Sequence, residues 1–124
     1  MKIHESAENY LETILVLQQR KGSVRSIDIA NELEFSKPSV SVAMKNLRLK
    51  GYIEVDSGGM IRLLPEGQQI AEAVLEKHRL MTWFLMALGV SEEVAAEDAC
   101  RIEHVLSDES FEAIKEHARK YSNL

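Results

Sequence analysis

The stretch from Ser26 to Gly51, "SIDIANELEFSKPSVSVAMKNLRLKG", constrains the fold more than any other part of this 124-residue chain. Ser26 and Ser36 each stand where a side-chain oxygen can cap a helix start, and each is followed by apolar residues at helical spacing. The first segment turns Ile27, Ala30 and Leu33 inward, and "EFS" is a tight break. The second has Pro38 in its first turn, Val40, Ala43, Met44 and Leu47 inward, and Gly51 as its stop. Two helices joined by about four residues, the second amphipathic and basic, read as a helix-turn-helix.

The flanks extend that unit. Ser6 is a plausible cap for a first helix whose apolar face is Tyr10, Leu11, Ile14, Leu15 and Leu17 and which ends at Gly22. After Gly51, "YIEVDSGGMIRLL" supplies two short strands around a glycine-bearing turn, and a helix-turn-helix followed at once by a hairpin is a winged helix. Pro65 opens a long helix running to Gly89, and Ser91 and Ser107 start two more, over 92–106 and 108–121. The expected fold is mainly α with a small β-hairpin: a winged helix-turn-helix DNA-binding domain over 1–64, then a helical domain over 65–124.

Charge divides the chain at the same place. Eight basic side chains face six acidic ones up to Gly51, a net of +2, and seven face fourteen beyond it, a net of −7, which together give the overall −5. Residues 36–51 hold Lys37, Lys45, Arg48 and Lys50 and no acid, which suits a polyanion better than the total charge suggests. A single cysteine excludes a disulfide framework. With no apolar run of membrane length and no apolar signal core near the start, the expected location is the cytoplasm, with no membrane partner.

With its apolar stripe turned inward, the third helix presents Lys37, Pro38, Ser39, Ser41, Val42, Lys45 and Arg48. Short hydroxyls let such a helix sink into the major groove while Lys and Arg reach phosphates, and Pro38 and Val42 can meet thymine methyls. Arg25 and Ser26, at the start of the second helix, are phosphate contacts of the kind a helix N-terminus favours, and Arg62 on the wing is a weaker one. The competing reading of the same face is a winged helix used for protein contacts.

"DACRIEHVLSDE" puts Cys100, Glu103 and His104 at i, i+3 and i+4, so a thiolate, a carboxylate and an imidazole share one helix face. Taken alone, a cysteine in an apolar helix is equally well a small buried hydrophobe, and His78 in "EKHRLM" is ordinarily a histidine satisfied by a hydrogen bond. Asn9 and Glu12 stand i, i+3 on the first helix.

Taken together, "SAENYLETI", the helix-turn-helix, "EKHRLM" and "ACRIEHVLSDE" make the chain resemble the diphtheria toxin repressor family of metal-dependent transcriptional repressors over nearly all of residues 5–112. The resemblance implies a homodimeric, non-enzymatic repressor that binds double-stranded operator DNA, takes no small-molecule substrate, and holds a divalent transition metal between its first, fourth and fifth helices. Cys100, Glu103 and His104 match ligands of the family's iron branch, whereas Glu12, His78, Glu103 and His104 match those of its manganese branch. Asn9 falls where those branches have methionine or aspartate and is a weak ligand at best; Thr82 and Ala96 replace two ligands of an ancillary site from which His78 alone survives. A thiolate beside imidazoles and carboxylates favours Fe²⁺ over Mn²⁺, with Co²⁺, Ni²⁺ or Zn²⁺ as substitutes. The chain's length leads one to expect a two-domain member without an SH3-like third domain. A metal-free winged-helix regulator answering a small molecule is the alternative, and a metallohydrolase lacks a placed general base.

Overall fold

The computed structural model describes residues 5–121, so the outermost residues of the two expected domains, 1–4 and 122–124, lie outside it. The described residues form six helices and one two-stranded sheet, and the chain divides into two compact units at Ala73/Val74.

The first unit holds α1 (Glu5–Lys21), α2 (Ser26–Leu33), α3 (Lys37–Leu49), β1 (Ile53–Val55), β2 (Ile61–Leu63) and the start of α4 (Pro65–Ala87). The strands are antiparallel, with Ile53 opposite Leu63, Glu54 opposite Arg62 and Val55 opposite Ile61. Asp56 builds the turn between them, its Oδ1 accepting from the Gly58 and Met60 N–H groups at 2.8 and 2.9 Å. Those hydrogen bonds hold its carboxyl below the usual range, the Met60 amide contributing most. The Ile61 N–H reaches back to the Val24 carbonyl and so ties the wing to the α1–α2 loop. Leu11, Ile14, Val24, Ile29, Val40 and Ile53 are fully enclosed, each side chain contributing about 1.5–3 kcal/mol by leaving water. Gly67 is required by a close approach, because a Cβ there would collide with the Tyr52 carbonyl.

Three local expectations are corrected. Ser6 lies inside α1, which already includes Glu5, so it is not the cap. The cap of α2 is Arg25 rather than Ser26, and its N–H donates to Asp28 Oδ2 at 2.9 Å. Ile27 is exposed, and Ile29 takes the inward position with Ala30; Leu33 and Ala43 are half-buried. In contrast, Ser36 caps α3 as expected, accepting from the Ser39 N–H at 3.3 Å, and Gly51 at φ +81° stops it in a left-handed conformation suited to glycine.

The second unit holds the rest of α4, then α5 (Glu92–Val105) and α6 (Asp108–Tyr121). Ser91 caps α5 through the Val94 N–H. Leu80, Phe111 and Ala118 form the centre of a core onto which Trp83, Leu106 and Ile114 pack. Lys77 fastens this unit at the α5–α6 turn, donating to the Leu106 carbonyl at 3.3 Å and pairing with Asp108 at 3.2 Å, with its ammonium over the Phe111 ring. No described helix is long and apolar enough to cross a membrane.

Candidate metal centre and nucleic-acid interface

In the second unit, α4 and α5 bring together three residues singled out in the sequence. Nδ1 of His78 stands 2.8 Å from Oε2 of Glu103, and Nε2 of His104 stands 3.3 Å from Oε1 of the same carboxylate. The Glu103 side chain is 0% exposed and that of His104 3%, so a carboxylate bracketed by two imidazoles sits in the interior. Helical phase explains the placement: Ala95, Ala99 and Glu103 recur every four residues on the buried stripe of α5, where small alanines leave room for the larger groups.

Burying a carboxylate is costly unless both oxygens are satisfied. Oε2 has the His78 ring, which donates when protonated on Nδ1. Oε1 has no hydrogen bond, because the approach of His104 is close without being aligned as one. The orphaned oxygen beside an imidazole nitrogen is a donor pair that a divalent cation fits, so the residues present suit the metal implied by the resemblance.

The other proposed ligands are placed as follows. Cys100, one turn before His104, lies on the exposed side of α5 rather than on the buried stripe with Glu103. In the first unit, Glu12 is buried in α1 between Leu11 and Thr13, and Asn9 is half-buried, its backbone carbonyl accepting from the Thr13 hydroxyl at 2.8 Å. Glu12 is thus a second buried carboxylate among the described residues.

The first unit also carries the basic face. Lys37, Pro38, Ser39, Ser41, Val42, Lys45 and Arg48 are all exposed on α3, and Arg25 is exposed beside half-buried Ser26 at the start of α2. Arg62 on the wing is exposed but pairs across the strands with Glu54 at 3.8 Å, which weakens it as a phosphate contact. Sequence reasoning missed Ile27, which is exposed at the edge of this face, and Lys77, whose role at the α5–α6 turn has no signal in "EKHRLM".

A winged helix-turn-helix joined to a helical unit with a His–Glu–His cluster is the build of a metal-dependent transcriptional regulator. Residues 2–59 match the model of the iron dependent repressor N-terminal DNA binding domain, and residues 64–122 match that of the iron dependent repressor metal binding and dimerisation domain. The chain belongs to this family of metal-dependent repressors. It is 34% identical over 117 residues to the transcriptional regulator MntR of Escherichia coli O157:H7, covering 94% of this chain and 76% of that protein. It is 35% identical over 106 residues to the diphtheria toxin repressor of Corynebacterium diphtheriae, covering 85% of this chain and 47% of that one. Among solved structures, the manganese regulator SloR superposes with a TM-score of 0.81 at 31% identity, covering 91% of this chain and 53% of that one. IdeR of T. acidophilum superposes at 0.78 with 29% identity, covering 94% and 55%. The chain thus spans about half the length of these two structures.

Proposed function

We propose that this protein is a metal-activated repressor that binds operator DNA as a homodimer in the cytoplasm and controls the supply of the metal that activates it. The observation that carries the reading is the orphaned Oε1 of fully buried Glu103, 3.3 Å from a histidine nitrogen. A bound divalent cation satisfies that oxygen. Glu103 and His104 are its central ligands, His78 holds Glu103 in place and contributes its second nitrogen, and Glu12 from the first unit completes the carboxylate–imidazole set, with Asn9 as a weak carbonyl ligand.

Because Glu12 belongs to one unit and the other ligands to the second, filling the site selects one mutual arrangement of the two units. DNA that accepts only that arrangement strengthens metal binding by the same factor as metal strengthens DNA binding. Lys37, Lys45 and Arg48, with Arg25 and Ser26, hold phosphates; Pro38, Ser39, Ser41 and Val42 face base edges; and Arg62 adds a weak contact. The ion favoured is Fe²⁺ ahead of Mn²⁺, on the argument that Cys100 supplies a thiolate to the exposed side of the shell. The matching family models are named for iron and the similar SloR structure for manganese, which fits a donor set lying between them.

The test is anaerobic titration of operator binding with Fe²⁺, Mn²⁺ and Zn²⁺, reversed by chelator. Binding that ignores both metal and chelator would overturn the reading.

A further inference from the structure

Of the exposed apolar side chains of the first unit, Phe35 and Leu49 among them, Val42 on α3 is 60% exposed and Ile27 on α2 is 40% exposed. Ile27, Ser26, Lys37 and Ser41 line an open concavity of about 290 Å³ between the starts of α2 and α3. Ile29 two residues on fills the core, whereas Ile27 keeps part of its side chain open at the mouth of this concavity. Its surroundings are cationic and hydroxylic, so the matching surface is polyanionic yet offers an apolar projection. In the DNA major groove the one apolar group on a base edge is the C5-methyl of thymine.

We infer that Ile27, across the concavity it forms with Ser26, Lys37 and Ser41, receives a thymine methyl and is a specificity-determining residue for operator choice. Lys37 at the rim holds the adjacent phosphate, and Ser41 adds a hydroxyl able to donate or accept. Operators therefore carry a thymine in each half-site at the position facing α2, flanking those read by α3. This inference rests on the reading of the unit as an operator-binding domain.

The experiment uses the full chain loaded with Mn²⁺ or Fe²⁺. Duplexes are first selected from a random pool, and each thymine of the recovered site is then replaced in turn by uracil, which removes only the methyl. One thymine per half-site is expected whose replacement weakens wild-type binding about fourfold, the weight of one buried methyl, and has no effect on Ile27→Ala. The salt dependence should match wild type, because Ile27 carries no charge. Ile27→Thr keeps the β-branched shape and serves if the alanine variant is unstable; it should lose most of the uracil penalty as well. A recovered site whose wild-type affinity is indifferent to every uracil, or an Ile27→Ala protein that keeps the full penalty, overturns the inference alone. Recovery of no sequence at all overturns both the inference and the operator-binding reading beneath it.

Discussion

His78 and Glu103, 25 residues apart on α4 and α5, meet Nδ1 to Oε2 at 2.8 Å, and this contact leaves the opposite oxygen of a wholly buried carboxylate without a hydrogen bond. A fold that only needed rigidity would have filled the space with hydrocarbon, since replacing buried charge by apolar groups is commonly neutral or stabilising. The cluster therefore reads as a site whose stability is given up in favour of ligand binding.

The first prediction follows from that trade. Glu103→Gln removes the buried charge while keeping the shape, so the ion-free variant should melt at or above the wild-type temperature. Added Mn²⁺ should raise the wild-type melting point, by an amount equivalent to about 2.7 kcal/mol at a hundredfold excess over Kd, and should do nothing for the variant. His104→Ala should likewise lose metal-stimulated operator binding. Calorimetry with and without metal checks both, and a variant that still gains stability from Mn²⁺ would remove Glu103 from the site.

Lys37 and Lys45 are exposed and belong to a helix face with no acid, so each should neutralise a phosphate. Changing either to alanine should weaken selected and unselected DNA alike and flatten the slope of log K against log salt by about 0.9. Metal affinity measured without DNA should be unchanged. Fluorescence anisotropy at several salt concentrations is the measurement, and an unaltered slope would assign the lysine to solvent.

The apolar run at the end of α4 leads to the third expectation. Leu80 and Met81 are buried, while Met86 is 42% and Leu88 68% exposed, so the stripe outruns the core available to it. The match to a dimerisation domain suggests an isologous partner for the remainder. Met86→Glu and Leu88→Glu should each sediment as monomers at micromolar concentration and bind operator at least tenfold more weakly. A wild-type protein that is itself monomeric with metal present would contradict the assignment.

Much of this was legible in the sequence, and the exceptions have physical causes. The winged helix and the boundaries of α3 to α6 followed from apolar period, Pro65, Gly51 and two capping serines. The eight-residue α2 is too short for its period to choose between Ile27 and Ile29, and packing by neighbouring elements decided the phase. The same segment misplaced the cap, because Asp28 at the third helical position holds the Arg25 N–H and so sets the cap one residue before the serine. On α5 the spacing put Cys100, Glu103 and His104 on one face, but that face is broad: the buried stripe takes Glu103 and His104 and leaves Cys100 at the exposed edge. Lys77 could not be found from sequence, since its acceptor, the Leu106 carbonyl, is a backbone atom 29 residues away.

Asp28 gives a pH-dependent expectation. Its carboxyl accepts from Lys21 at 2.6 Å and from the Arg25 amide, and these bonds, that to Lys21 foremost, hold it below the usual carboxylate range. A lowered folded-state value means the stabilisation is present above the unfolded-state value near 3.9 and is lost as pH falls through the folded one. Asp28→Ala should therefore cost about 1 kcal/mol at neutral pH, the ordinary weight of a cap, and the gap from wild type should close in acid. Urea melts at pH 7 and below pH 4 test this; a difference that persists undiminished in acid would assign the cost to packing.

The last prediction concerns Cys100, on which the choice of metal turns. Its side chain is one helical turn from His104 yet on the exposed side of α5, so it can join the shell only from the solvent edge. If it does, Co²⁺ substitution should produce an intense sulfur-to-metal charge-transfer band in the near ultraviolet that is absent from Cys100→Ala. A carboxylate there would restore an all-oxygen-and-nitrogen shell, so Cys100→Glu should keep repression while moving preference from Fe²⁺ toward Mn²⁺. The same thiolate would make activation peroxide-sensitive, because sulfenic acid is a poorer ligand, and Cys100→Ala should abolish that sensitivity. A cobalt form with no thiolate band, together with a Cys100→Glu protein of unchanged metal preference, would make Cys100 a surface residue. The remaining donors, carboxylates and imidazoles alone, would then favour Mn²⁺ as readily as Fe²⁺, and the iron assignment would fall while the site on Glu103 and His104 stood.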